Sequence, residues 1–275
     1  MKPQKHLLLI GDLPCYGRMA VNAMLPVCSH SGLEVSVLPT ALVSNNFAYG
    51  RFDVLDTTDF MQRTFDHWQA LGFKFDAVYT GFLCSKAQTE LIAARCREYR
   101  AKKISVFTDP IMGDHGKLYN GITLDDVENM RSLIKYSDFI MPNLTEACYL
   151  TGTPCKDQGF SLNEGHELLE KLKTLCQGTI LITSALCDGQ NMVLGFDALK
   201  KEILHLPYTP VAGKEFHGTG DVFASLFISH MLKNNDVKAS TLYAMQTVAA
   251  MIKRNMSNDD LFDGLNLGIC LDLLN

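Results

Sequence analysis

The chain has 275 residues, 47% hydrophobic and 20% charged, with a net charge of −5 at pH 7 and a sequence pI near 5.9. That length can bury one large core. The acidic balance and the scattered Lys and Arg argue against a nucleic-acid or membrane-surface binder. Nine cysteines form no Cys-x-x-Cys pair, and most, with Cys28, Cys84, Cys96, Cys148 and Cys176 in apolar or helical contexts, read as small core residues in a reducing cytoplasm.

In chain order, His6 to Ile10 reads as a buried strand, ended by the turn Gly11-Asp12-Leu13-Pro14. The apolar run stops too soon for a signal peptide or a membrane helix. A helix is expected from about Gly17 to His30, then strand-like segments Glu34 to Pro39 and Thr40 to Val43. A polar and aromatic loop, Ser44 to Gly50, follows. Thr57 to Leu71 is helical, and its stripe of Phe60, Thr64, Phe65, Trp68 and Leu71 reads as core packing. Asp76 to Tyr79 and Ile104 to Phe107 are strands, with a helix between them from about Lys86 to Arg100. The loop Met112 to Lys117 leads to a helix near Leu124 to Tyr136. Asp138 to Met141 is a strand, and helices near Leu144 to Leu150 and Asn163 to Cys176 come next. Thr179 to Thr183 is a strand. Met192 to Phe196 with Glu202 to Leu206 suggests an antiparallel hairpin at the sheet edge. Helices follow Gly218 and span about Val237 to Arg254, and the tail from Gly264 to Leu274 returns as an edge strand or short helix.

Strands alternating with helices predict an α/β fold, a mostly parallel sheet covered on both faces, in one domain spanning 1–275. Ligands of such sheets bind beyond the carboxyl ends of the strands. Asp12, Ser44, Thr80, Asp109, Asn143 and Thr183 follow expected strand ends and are predicted to converge on one rim facing Gly218.

Gly218-Thr219-Gly220-Asp221 stands where a Pro- and Gly-rich loop becomes a helix N-terminus. Free N–H groups there favour an anion. Glycine lets the backbone approach a phosphate, and Asp221 is placed to take a proton from an attacking hydroxyl. Loop punctuation and an ordinary first-turn Asp explain the same residues, and the stretch alone leaves both readings open. Asp109 and Asp114 suit Mg²⁺ or plain turn chemistry. Asn143 and Glu146 could order metal-bound water or form a capping box, and spacing does not separate the two. Thr183 and Ser184 offer hydroxyls to phosphate, and Lys117 and Lys214 could screen its charge. P-loop, G-x-G-x-x-G, H-E-x-x-H and G-x-S-x-G patterns are absent.

Taken together, Asp12-Leu13-Pro14-Cys15-Tyr16-Gly17-Arg18, Thr80-Gly81-Phe82, Asp109-Pro110-Ile111-Met112-Gly113-Asp114, Pro142-Asn143-Leu144-Thr145-Glu146 and Gly218-Thr219-Gly220-Asp221 resemble the pyridoxal/pyridoxamine kinase branch of the ribokinase superfamily. The resemblance runs nearly the whole chain. It implies a ribokinase-like fold and ATP-dependent phosphorylation of the 5′-hydroxymethyl of a vitamin B6 vitamer. It implies Asp221 as base, with a pKa lowered by its helix N-terminus, and the Gly218, Thr219 and Gly220 backbone as anion hole. Asp109, Asn143 and Glu146 would organise Mg²⁺, and a monovalent cation such as K⁺ is a further candidate. Asp114, Lys117, Thr183 and Ser184 would meet the nucleotide. Asp12, Asn45, Phe47 and Phe82 would line the vitamin pocket. A cytoplasmic homodimer that binds no nucleic acid or membrane is expected. The family's His-Thr-Gly after Ser44-Asn45 is replaced by Asn46-Phe47-Ala48, and His217 is also a departure. A hydroxymethylpyrimidine or other small-alcohol kinase is the alternative within the fold. A non-catalytic module binding pyridoxal phosphate or nucleotide is the alternative outside catalysis.

Overall fold

The computed structural model describes residues 4–274. Met1 to Pro3 of the opening segment lie outside them. Among the described residues, eleven strands and eight α-helices form an α/β fold with a mostly parallel sheet and antiparallel edge strands, as expected from the alternation. Two compact units can be separated, one formed by the chain up to Tyr79 together with the stretch from Pro210, the other by Thr80–Thr209.

In the first unit the strand order is β4 (Ala77–Thr80, whose last residue already belongs to the second unit), β1 (His6–Pro14), β2 (Glu34–Val43) and β3 (Val54–Asp56). Strands β1 and β2 are parallel, and β3 is antiparallel to β2. Leu7 to Ile10 are fully buried, as a continuous apolar run in a parallel sheet requires. Burying each such side chain contributes roughly 1.5–3 kcal/mol. The expected turn at Gly11 to Pro14 is instead strand. Pairing continues to Pro14 opposite Val43 after a register shift between Gly11 and Leu13. Asp12 therefore sits inside a bulged strand, not beyond its end; a bulge re-aims a side chain without ending the ladder.

Helix α1 (Ala20–His30) starts three residues later than expected, because Arg18 is held in an isolated bridge to Gly264. Helix α2 (Thr58–Leu71) has the predicted span but not the predicted core stripe. Phe65 is buried and Trp68 partly so, whereas Phe60 is 50% and Leu71 66% exposed. The buried line runs through Met61 and Phe65, and helical periodicity alone did not say how wide the covered face is. Helices α7 (Thr219–Asn234) and α8 (Val237–Arg254) complete the unit, with short 3₁₀ turns at Leu267–Ile269 and Leu271–Leu274.

The second unit orders its sheet β5 (Ser105–Thr108), β8 (Phe139–Ile140), β9 (Thr179–Cys187), β10 (Gln190–Asp197) and β11 (Glu202–Pro207). The first three are parallel, and β10 and β11 run antiparallel as the expected edge hairpin. Strand β9 does not end at Thr183 but continues to Cys187, since β10 keeps pairing with it. Helices α3 (Lys86–Ala101), α4 (Leu124–Ile134), α5 (Leu144–Thr151) and α6 (Leu162–Leu175) match their expected positions. The loop Met112 to Lys117 is a small hairpin of β6 (Gly113–Asp114) and β7 (Lys117–Leu118). Positive φ at His115 (49°) and Gly116 (75°) gives its two-residue turn the form that matches strand twist.

Candidate active site

The candidate residues fall into two clusters, one in each unit. In the first, Gly218 is the N-cap of α7, with φ 77° and no side-chain cap. A Cβ on Gly218 would come 2.9 Å from the Arg18 carbonyl oxygen, so this position excludes a side chain. At Gly220 a Cβ would meet no protein atom within 4 Å. The protein's own packing does not demand glycine there; open space lies over the helix N-terminus, where N–H groups lack intrahelical partners.

Asp221 is the third residue of α7 and is buried. The Ala20 backbone N–H donates to its Oδ2 at 2.8 Å. Burial raises the Asp221 carboxyl to about 6, against the lowering effect of that hydrogen bond. This corrects the expectation of a lowered pKa: desolvation outweighs the helix terminus. Asp12 is pushed further, to about 7, by burial and then by the Asp221 charge. Two carboxyls in one field thus titrate close to neutrality, the range in which a general base is effective.

Loop Ser44 to Gly50 folds largely on itself. Asn45 accepts from the Ser44 hydroxyl at 2.7 Å and donates to the Asn46 and Arg51 carbonyls. Its amide is committed to the loop, so its predicted substrate contact would compete with those bonds. Phe47 packs on Phe52 with centroids 4.3 Å apart. The exposed His217 stands edge-on to Phe262, 5.1 Å away, and its N–H donates to the Leu261 carbonyl. Lys214 is bound to the Asn258 carbonyl and the Asp259 carboxylate.

The second cluster surrounds the start of α5. Asn143 is its N-cap and Glu146 its third residue, in a complete capping box. Glu146 N–H donates to Asn143 Oδ1 at 2.9 Å, and Asn143 N–H donates to Glu146 Oε2 at 2.8 Å. The same groups reach further. Met112 N–H donates to Glu146 Oε1, and Asn143 Nδ2 donates to the Gly113 carbonyl. Gly116 N–H donates to Thr145 Oγ1. Three hydrogen bonds therefore tie the β6–β7 segment, which carries Asp114 and Lys117, to the first turn of α5. Met112, Thr145 and Gly116 were missed as site-building residues, although Thr145 stood inside the Pro-Asn-Leu-Thr-Glu stretch.

Glu146 is buried, and its carboxyl is raised well above the ordinary value by burial and then by the Asp109 charge. Asp109 is also buried, and its N–H donates to the Thr80 carbonyl. Two acids that repel each other in a buried setting suit a hard cation. No group of three or more His, Cys, Asp or Glu that could hold a metal exists among the described residues. Asn143's amide is already engaged on both sides. Asp109 and Glu146 could supply part of a Mg²⁺ shell, with phosphate and water supplying the remainder. Thr183 forms a bridge to Asn143, and its N–H donates to the Pro142 carbonyl. The exposed Ser184 takes φ 55° and shares a hydrogen bond with Tyr208. Asp114 and Lys117 are exposed, and Phe82 is half-buried.

The sequence model of the phosphomethylpyrimidine kinase family matches residues 22–263. This chain belongs to that family. It is accordingly a kinase with an alcohol acceptor, and the ribokinase-type resemblance holds. The chain is similar to the pyridoxal kinase PdxY of Rubrobacter xylanophilus, 27% identical over 91% of this chain and 88% of that one. It is also similar to a Bacteroides thetaiotaomicron protein assigned as a phosphomethylpyrimidine kinase, in a crystal form with pyridoxal. That structure is 30% identical, with a TM-score of 0.91 over 99% of this chain and 96% of the other. Pyridoxal kinase from Lactobacillus plantarum gives 26% identity and a TM-score of 0.87 over 99% and 97%. No described helix is long and apolar enough to cross a membrane.

Proposed function

We propose that this chain transfers the γ-phosphoryl group of ATP to the hydroxymethyl group of a B6 vitamer: pyridoxal, pyridoxine or pyridoxamine. The observation that carries the reading is Asp221. It is a buried carboxylate with a pKa of about 6, aimed by a backbone N–H and placed directly after two glycines at an open helix N-terminus. Asp221 orients the substrate hydroxyl and accepts its proton as the new O–P bond forms and ADP leaves. The N–H groups of Gly218, Thr219 and Gly220 neutralise charge on the phosphoryl in flight. Asp12, Asn45 and Phe47 line the alcohol's ring, and Phe82 is a further candidate for substrate binding. Mg²⁺, when bound, neutralises phosphate charge and orients the leaving group. Asp109 and Glu146 would hold it in part. The β6–β7 segment brings Asp114 and Lys117 to the nucleotide, with Thr183 and Ser184 on the phosphate side. A monovalent cation such as K⁺ and a cytoplasmic homodimer complete the proposal. Residues 1–275 would serve as a single kinase domain.

The test is ATP consumption with the three vitamers and with hydroxymethylpyrimidine, for wild type and Asp221→Ala. Turnover of a vitamer that is lost in the variant supports reaction, base and substrate class together. Turnover of the pyrimidine alone would favour the second reading, for which the family match and the Asn46-Phe47-Ala48 departure speak. ATP binding without transfer to any of the four would contradict the vitamin assignment.

A further inference from the structure

Asp221 is aimed by a donor that no motif announced, the N–H of Ala20, and that donor is held in an unfavourable conformation. Ala20 has φ 46°, in the left-handed region, which costs a residue with a Cβ on the order of 1–2 kcal/mol. Such a turn persists only when its surroundings hold it. Its anchor is Arg18, two residues earlier. Arg18 N–H donates to the Asp263 carbonyl at 2.7 Å, and the Arg18 guanidinium pairs with the Asp263 carboxylate. Backbone and side chain of one residue thus grip backbone and side chain of the other. The Asp263 side chain is only 14% exposed, so this pair is better shielded than an ordinary surface ion pair.

The fit around this contact is close on every side. Arg18 forms an isolated parallel bridge with Gly264. A Cβ on Gly264, where φ is 84°, would come 2.5 Å from the Arg18 carbonyl oxygen and 3.3 Å from that of His217. The same Arg18 carbonyl lies under Gly218. The strap around Asp263 is itself pinned to the substrate loop. Asn46 donates to the Phe262 carbonyl at 3.0 Å, and the Tyr49 hydroxyl donates to Asp260 at 2.7 Å.

We propose that Asp263 is a positioning residue for Asp221: by gripping Arg18 twice it fixes the left-handed turn whose N–H, on Ala20, aims the Asp221 carboxylate. This rests on the reading of Asp221 as base. It assigns a function to a segment, Asp260 to Gly264, that lies outside every recognised motif.

The experiment reads the proton affinity of Asp221 directly, by ¹³C NMR of its carboxyl against pH, and kcat and KM for ATP in parallel. The charged and titratable groups that face this turn and its anchor include Asp12, Arg18, His217, Asp260 and Asp263, with Tyr49 on Asp260. In Asp263→Asn the Ala20 N–H is released from Asp221, so the Asp221 pKa and the acid limb of kcat should both rise, by about half a unit. Because the lost contact orients the base and not the nucleotide, kcat should fall about tenfold with KM for ATP within about twofold. Asp263→Glu should restore most of both. If Asp263→Asn does not fold, Arg18→Lys, which keeps the charge and loses the planar fork, is predicted to move both readouts the same way. Loss of a nearby negative charge alone would move the Asp221 pKa downward. A downward shift, or no shift, overturns the proposal. The NMR titration needs no turnover, so an inactive wild type would sink the kinase reading while leaving the positioning role to be decided by that titration.

Discussion

Two helices of this protein begin with an acid in the same place, and they use it in opposite ways. Glu146 and Asp221 are each the third residue after an N-cap. At α5 the cap is Asn143, and the carboxylate of Glu146 is consumed by backbone, one oxygen by Asn143 N–H and the other by Met112 N–H. At α7 the cap is Gly218, which has no side chain to reciprocate. Asp221 is left to reach Ala20, a residue 201 positions away in the chain. The lesson is that a capping box fixes its acid in place with a backbone hydrogen bond on each oxygen, leaving it at most part of a cation's shell, whereas a glycine cap leaves the acid free to meet a substrate hydroxyl. The N-cap residue decides between these roles more than the acid does.

The sharpest way to break this comparison is to remove each acid in turn. Asp221→Asn is expected to lower kcat by about 10²–10⁴-fold, read in single-turnover assays, with the chain still folded. The sign of its stability effect is also fixed. Asp221 and Asp12 hold a proton more tightly in the folded chain than at the ordinary value of 3.8. Their contribution to stability is full below pH 3.8 and is lost as pH rises through about 6 and 7. Asp221→Asn and Asp12→Asn should therefore raise Tm at pH 8, by the equivalent of about 1–3 kcal/mol, and change it little at pH 4.

Glu146→Ala differs in that it removes the acceptor together with the charge. It leaves the Met112 and Asn143 N–H groups without their acceptor, which should cost roughly 2–4 kcal/mol. Because burial also raises the Glu146 carboxyl, its stabilisation fades as pH rises, so the loss of Tm should be larger at pH 4 than at pH 8. Its kinetic effect should fall on KM for ATP more than on kcat, because the β6–β7 segment loses an anchor. A smaller step is Asn143→Ala, which removes the cap and its bond to Gly113 and should cost about 1–2 kcal/mol by denaturant unfolding. The smallest stability effect belongs to Gly220→Ala. With no protein atom near the new Cβ, stability should change by less than about 1 kcal/mol, while phosphoryl transfer drops because the methyl occupies the approach to the anion hole.

Much of the fold was legible because buried parallel strands are written as apolar runs, as at Leu7 to Ile10. The misses came where tertiary contacts overrode local signals. Gly11 to Pro14 reads as a turn until β2 is known to pair with it. The three residues of β3 include the exposed Val54 and Leu55 and carry no alternation to detect. Residues Asp221, Gly218 and Glu146 could be named from their motifs. Their division of labour could not, since a capping box and a metal-ordering pair share one spacing. Ala20 was out of reach: its contribution is a backbone N–H, set by a φ angle that no side chain encodes.

The most direct test of the account is the pH dependence of kcat/KM for the vitamer in wild type, checked for folding by circular dichroism at each point. With Asp221 as a carboxylate base of pKa about 6 in the free chain, kcat/KM should fall about tenfold per pH unit below that value. An unchanged kcat/KM from pH 7 down to pH 5, in protein that stays folded, would contradict it.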